Sequence, residues 1–211
     1  CGDTKVVEKG NGDKLFINTT GIGVISRNRP LGMRSIKVGD KIIISGTIGE
    51  HGAAIMNERN NLCESSLLKS DCQSLNGIIE SILNSSLEIK VMRDPTRGGV
   101  ITTLLEIIDA SNKEMLIYED KLPISSEVSE FSGLLGLNPL YMANEGKVII
   151  IVSNQHAIDV LNLLRNSQEG QEATIIGEVI ADGKKNLYLE TIIGAKIKCF
   201  PMKGEQLPRI C

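Results

Sequence analysis

The stretch Met92-Arg93-Asp94-Pro95-Thr96-Arg97-Gly98-Gly99-Val100 joins two periodicities, and that junction decides the fold. Residues 88–92 read as a short strand, whereas Val100, Leu104, Ile107 and Ile108 recur at helical spacing. A strand that passes at once into a helix is the building unit of a mixed α/β protein. Two glycines at the junction let the backbone turn tightly and free amide N–H groups, and the helix start adds positive potential. The turn therefore suits a phosphate or carboxylate, with Arg93 and Arg97 in support. The competing reading is a glycine-rich connection whose arginines pair with local carboxylates, and on physical grounds the two weigh equally. It is not a P-loop, because no Gly-Lys-Ser/Thr follows.

Outward from that turn the alternation repeats. Strand-like runs fall at 14–18, 41–45, 88–92, 115–118, 147–153, 173–179 and 187–190. Helical spacing joins Leu75, Ile78, Ile79, Ile82 and Leu83, then Val128, Phe131 and Leu135, then Ala157, Val160, Leu161 and Leu164. Ser70 or Asp71 is available to cap the first of these. All are expected to cover a sheet. The glycine-rich segment 46–52 marks an expected domain boundary, because residues 1–50 carry strands without helices to bury both sheet faces. With no initiator methionine, the expectation is a piece that lacks an upstream segment. The expected domains are 1–50, 51–199 and a tail, 200–211.

Composition narrows the function classes. The 211 residues are 41% hydrophobic with a formal net charge of −3, which leaves no electrostatic footprint for nucleic acid or an anionic membrane. The most apolar run, residues 148–152, is strand-sized and far below the roughly 20 residues that span a bilayer. The five cysteines, Cys1, Cys63, Cys72, Cys199 and Cys211, are odd in number and form no close C-x-x-C pair, as fits a reduced, cytoplasmic setting. His51 and His156 are far apart and lack ligand spacing.

Three further places carry chemistry-bearing groups. Gly2-Asp3-Thr4-Lys5 sets an acid, a hydroxyl and an amine within three residues, which suits a metal-bridged phosphate; a turn before a strand is the weightier alternative. In Ala143-Asn144-Glu145-Gly146-Lys147 the carboxylate precedes the most apolar strand and is either a partly buried acid or base, or a turn residue, the second being favoured. The closing Phe-Pro-Met-Lys-Gly-Glu-Gln-Leu-Pro-Arg-Ile-Cys holds two prolines and a glycine, so an extended, mobile arm is expected, tipped by the thiol of Cys211. Such a thiol has the reach wanted of a covalent carrier. The alternative is an incidental cysteine at a frayed end.

Taken together, Gly2-Asp3-Thr4-Lys5-Val6-Val7, Ile17-Asn18-Thr19-Thr20-Gly21-Ile22-Gly23, the turn at 92–99, Asn138-Pro139-Leu140, residues 143–147 and Leu207-Pro208-Arg209-Ile210-Cys211 resemble the HypE family of hydrogenase maturation proteins. Those are carbamoyl dehydratases of the PurM-like (AIR synthetase-like) superfamily. The Asp-Pro-Thr-Arg-Gly-Gly turn is shared across parts of the superfamily, while the terminal Pro-Arg-Ile-Cys discriminates. The resemblance implies a PurM-like α/β (α+β) fold, with the remnant of an amino-terminal ATP-binding domain ahead of a complete carboxy-terminal domain. It implies that Cys211 receives a carbamoyl group from HypF and that ATP and Mg2+ drive its dehydration to a thiocyanate. The cyano group then passes to a HypC–HypD complex for the hydrogenase iron. By the same resemblance Asp3, Thr4 and Lys5 lie at the magnesium-triphosphate region, with Asp3 a metal ligand. Asp94, Thr96, Arg97, Gly98 and Gly99 form a nucleotide-site candidate, and Glu145 is a proton acceptor. The full-length protein is expected to be a homodimer, and a chain without its upstream part to lack activity alone. Two alternatives stand beside this: another PurM-like ATP-dependent enzyme, such as one making selenophosphate or phosphorylating a thiamine intermediate, and a non-catalytic docking fragment.

Overall fold

The computed structural model describes residues 20–22, 31–62 and 67–202. The chain divides into two compact units, Cys1–Pro30 and Leu31–Cys211. Almost all of the first unit lies outside the described residues, and with it the expected strand at 14–18 and the candidates Asp3, Thr4 and Lys5; Cys211 lies outside them too.

Within the second unit the described strands are β1 (Lys41–Ile44), β2 (Ile89–Arg93), β3 (Lys113–Tyr118), β4 (Ile149–Val152), β5 (Thr174–Asp182), β6 (Leu187–Glu190) and β7 (Lys196–Cys199). The helices are α1 (Glu50–Asn60), α2 (Asn76–Asn84), α3 (Gly99–Ser111), α4 (Ser126–Leu135) and α5 (Ala157–Arg165). The strands form one sheet in the order β2-β4-β1-β5-β3-β6-β7, antiparallel throughout except for the parallel pair β3–β6. This is the mixed α/β architecture that the alternating periodicities call for.

β4 is apolar at every position because it is covered on both faces. Ile149 and Ile151 point with Ile42 and Ile44 of β1 into the cluster filled by Val100, Leu104, Ile107 and Ile108 of α3. Ile150 and Val152 point with Ile43 to the other side, against Ile78 and Ile82 of α2 and Val160 and Leu164 of α5. The period-2 alternation of the strands thus meets the 3.6-residue stripes of three helices. A third cluster joins Ala53 and Met56 of α1, Val128 and Phe131 of α4, and Met142, seating the start of α1 against the loop that follows α4.

Two expectations change, and one helix goes unforeseen. Segment 46–52 is no domain boundary: β1 pairs with both β4 and β5 in the middle of the sheet, so 46–49 is the connection into α1. The compact units part at Pro30 instead. α1 itself escapes a periodicity reading because its buried face is His51, Gly52, Ala53 and Met56, too small and polar to make a stripe. Neither Ser70 nor Asp71 caps α2, whose N-cap position is Leu75 with no side-chain cap; Asp71 is engaged elsewhere. Among the described residues no helix is long and apolar enough to cross a membrane.

Candidate functional site

The turn between β2 and α3 explains its own glycines. Gly98 and Gly99 have φ of 72° and 60°, the left-handed region that favours glycine. A Cβ on Gly99 would lie 2.5 Å from the Met142 carbonyl oxygen and 2.6 Å from that of Leu140, and one on Gly98 would lie 2.1 Å from Thr102 Oγ1. Backbone geometry and close packing require both glycines whatever binds nearby. Their crowded side is turned to the 140–142 loop and to α3.

The other side of the turn is open. Exposed Asp94 and Arg97 and half-buried Thr96 border a cavity of about 350 Å³, completed by Arg93, Thr103, Glu106 and Glu145. Four positions singled out in the sequence, Asp94, Thr96, Arg97 and Glu145, are therefore brought together across 51 residues of chain, counting from 94 to 145. Arg93 donates to Glu106 at 2.8 Å, a solvent-exposed pair that contributes about 0–1 kcal/mol. Two guanidinium groups face three carboxylates here, so the cavity can orient a polar group and move a proton, but holds an anion well only if a cation accompanies it. Among the described residues no three His, Cys, Asp or Glu side chains converge as a metal site. Asp94, Glu106 and Glu145 thus do not make a magnesium site by themselves.

Glu145 owes its placement to its neighbours. Asn144 is fully buried and bolts the 142–147 loop to two elements at once. Its Oδ1 accepts the Gly49 N–H at the start of α1 (2.8 Å), while its Nδ2 donates to the carbonyls of Pro95 (3.0 Å) and Met142 (3.1 Å). Its own N–H also donates to Pro95, at 3.2 Å. Asn144→Ala would strand the buried Gly49 N–H and the Met142 carbonyl, at about 1–3 kcal/mol for each unsatisfied group. A loss of about 3 kcal/mol is expected, read as a lower urea midpoint at unchanged m-value; a loss below about 1 kcal/mol would contradict these bonds. On the opposite flank Asp71 Oδ1 accepts the Glu145 N–H at 3.0 Å. Neither Asn144 nor Asp71 carries a sequence signal, since their partners lie 49 and 74 residues away.

The remaining candidates are scattered. His51 is buried, its Nδ1 2.8 Å from Ser70 Oγ, and His156 Nδ1 accepts the Glu88 N–H at 3.1 Å. Cys72 is exposed; Cys199 is half-buried, and burial pushes its thiol pKa up to about 11. After β7, Tyr141 donates its hydroxyl to the Phe200 carbonyl at 2.8 Å, so the root of the closing segment leaves the sheet beside the loop that leads into Glu145.

Residues 37–190 match the model of the AIR synthase related protein, C-terminal domain. The carbamoyl dehydratase HypE of Azotobacter vinelandii is 42% identical over 210 residues, which is 100% of this chain and 62% of the relative. Crystal structures of a HypE–HypF complex (38% identity, TM-score 0.77) and of HypE in complex with ATP (36%, TM-score 0.79) superpose on 82% and 86% of this chain and on 56% and 55% of theirs. The chain thus spans less than two thirds of these proteins. Domain match and end-to-end similarity together place it: the chain belongs to the AIR synthase related family through its C-terminal domain, and within that family it follows the HypE proteins along its whole length.

Proposed function

We propose that the chain is the carboxy-terminal part of a hydrogenase maturation carbamoyl dehydratase, a lyase in which Cys211 carries the carbamoyl group and the cavity at Asp94, Thr96, Arg97 and Glu145 dehydrates it. The observation that carries this reading is the gathering of those four positions around one cavity, on a chain similar throughout to a protein named carbamoyl dehydratase. Reach is sufficient. From Phe200, held by Tyr141, to Cys211 the chain can span at most about 3.3–3.6 Å per residue, which exceeds 30 Å.

Dehydration of a thiocarboxamide to a thiocyanate removes the amide oxygen and both N–H protons. The oxygen is a poor leaving group, and ATP supplies the phosphoryl group that makes it a good one. Glu145 accepts an N–H proton, Thr96 and Arg97 orient the carbamoyl group, and Gly98 and Gly99 give the turn the shape that presents them. Asp3, Thr4 and Lys5 hold the triphosphate end, with Asp3 as the magnesium ligand. HypF is the carbamoyl donor, in line with the HypE–HypF complex of its relatives, and a HypC–HypD complex takes the cyano group. The working protein is a cytoplasmic homodimer. A second reading, a docking module without catalysis, draws on the turn between β6 and β7, where Ile192 and Ile193 are 76% and 90% exposed.

Intact-protein mass spectrometry of the complete protein with HypF, carbamoyl phosphate and ATP tests the proposal. The expected result is a single carbamoyl adduct that then loses one water, both species mapping to Cys211. An adduct on Cys72 or Cys199 overturns the assignment, and no adduct at all favours the docking module.

A further inference from the structure

We propose that Asp71 is a positioning residue that fixes Glu145 against the cavity, the segment 70–73 acting as a strap across the 144–147 turn. The inference rests on the catalytic reading of Glu145 above. The strap holds the turn by three contacts: Asp71 Oδ1 accepts the Glu145 N–H at 3.0 Å, Gln73 Nε2 donates to the Gly146 carbonyl at 2.9 Å, and the Asp71 carbonyl closes over Gly146. That last approach leaves no room for a side chain, since a Cβ on Gly146 would lie 1.9 Å from the Asp71 oxygen.

The carboxylate is held there at a cost. The Asp71 side chain is 0% exposed, and its Oδ2 has no hydrogen bond, only the Lys147 ammonium 3.9 Å away. Lys147 is itself buried and stands 3.5 Å from Glu50 Oε2, so one cation bridges the strap to the first turn of α1. Burying such a set is weak evidence for stability, because apolar side chains of similar volume often serve packing as well or better. What a filler cannot do is accept the Glu145 N–H while its other oxygen faces Lys147. With the preceding residue, Asn144, itself anchored to Pro95, the backbone of Glu145 is fixed on both flanks and its half-buried side chain is left to the cavity. Placement to within a fraction of an ångström is what proton transfer asks of such a group, and a displacement of about 1 Å can cost about 100-fold in rate.

Two measurements on the complete protein test this. Asp71→Ala should lower kcat for dehydration by about 10- to 100-fold with the KM for ATP within about twofold, and Asp71→Asn, which keeps the Oδ1 acceptor, should recover most of the loss. Amide hydrogen exchange at Glu145 should quicken by at least about tenfold in Asp71→Ala and be largely restored in Asp71→Asn. A kcat in Asp71→Ala within twofold of the parent, or an Asp71→Asn variant as impaired as the alanine, overturns the inference. Should Asp71→Ala fail to fold, Gln73→Ala decides, since Gln73 is exposed: a several-fold lower kcat supports the strap and an unchanged one refutes it. Glu145→Gln run in parallel separates the two levels. If it stays active, the catalytic reading falls and takes this inference with it; if it is inactive while Asp71→Ala is unimpaired, only the inference falls.

Discussion

Cys211→Ala is expected to abolish both carbamoyl loading and thiocyanate formation in the complete protein, with ATP affinity within about twofold of the parent. A covalent carrier needs a thiol that can become a thiolate and can reach two sites, the donor's and its own. The two described cysteines, Cys72 and Cys199, do not meet both needs. At neutral pH a thiol with a pKa of about 11 is ionised to roughly one part in 10⁴, so Cys199 is a poor nucleophile. Cys72 is accessible, with Sγ 3.7 Å from His51 Nδ1, but it belongs to the strap segment and has no tether to carry it elsewhere. Intact mass after incubation with HypF, carbamoyl phosphate and ATP should therefore show no adduct at all in the variant. A carbamoyl adduct persisting in Cys211→Ala would mean that the carrier is another residue.

What the sequence disclosed follows from range. β4 and the apolar stripes of α2, α3 and α5 are legible because period-2 and period-3.6 patterns are written in consecutive residues. The turn at Asp94 to Gly99 is legible for the same reason, a strand, a glycine pair and a helix following within a few residues. α1 was hidden because its buried positions include a histidine and a glycine, and β7 because a sheet-edge strand with mostly exposed residues needs no apolar alternation. The site divides the same way. Glu145 could be singled out as a carboxylate ahead of an apolar strand, yet nothing local says that it shares a cavity with Arg97, or that Asp71 holds its backbone. Those facts depend on β2 pairing with β4 and on the strap crossing a loop far along the chain, and such long-range pairings leave no local pattern. The glycine pair also shows how a motif can be read correctly for shape and still leave its ligand open: Met142 and Leu140 carbonyls alone forbid a side chain at Gly99.

Glu145→Gln is expected to slow dehydration by about 10²- to 10⁴-fold, the usual worth of a positioned general base, which corresponds to about 3–5 kcal/mol of transition-state stabilisation. Glutamine keeps the volume and the backbone N–H that Asp71 accepts, so the strap and the cavity walls stay in place and the thermal midpoint should move little. On the proposed reading, loading by HypF precedes dehydration and should not need this carboxylate. Mass spectrometry should then find the carbamoyl form of Cys211 accumulating without the later loss of water, a result that separates a chemical defect from a folding or binding defect. KM for ATP should change by less than about threefold, since an interaction used only in the transition state lowers kcat and kcat/KM together. Glu145→Asp offers an intermediate case, with a competent carboxylate drawn back by one methylene and a partial rate expected. A Glu145→Gln protein that dehydrates its carbamoyl group within about threefold of the parent rate would remove this carboxylate from the reaction and leave Asp94, Glu106 and the phosphates of the nucleotide as the acceptors to which the proton must be traced.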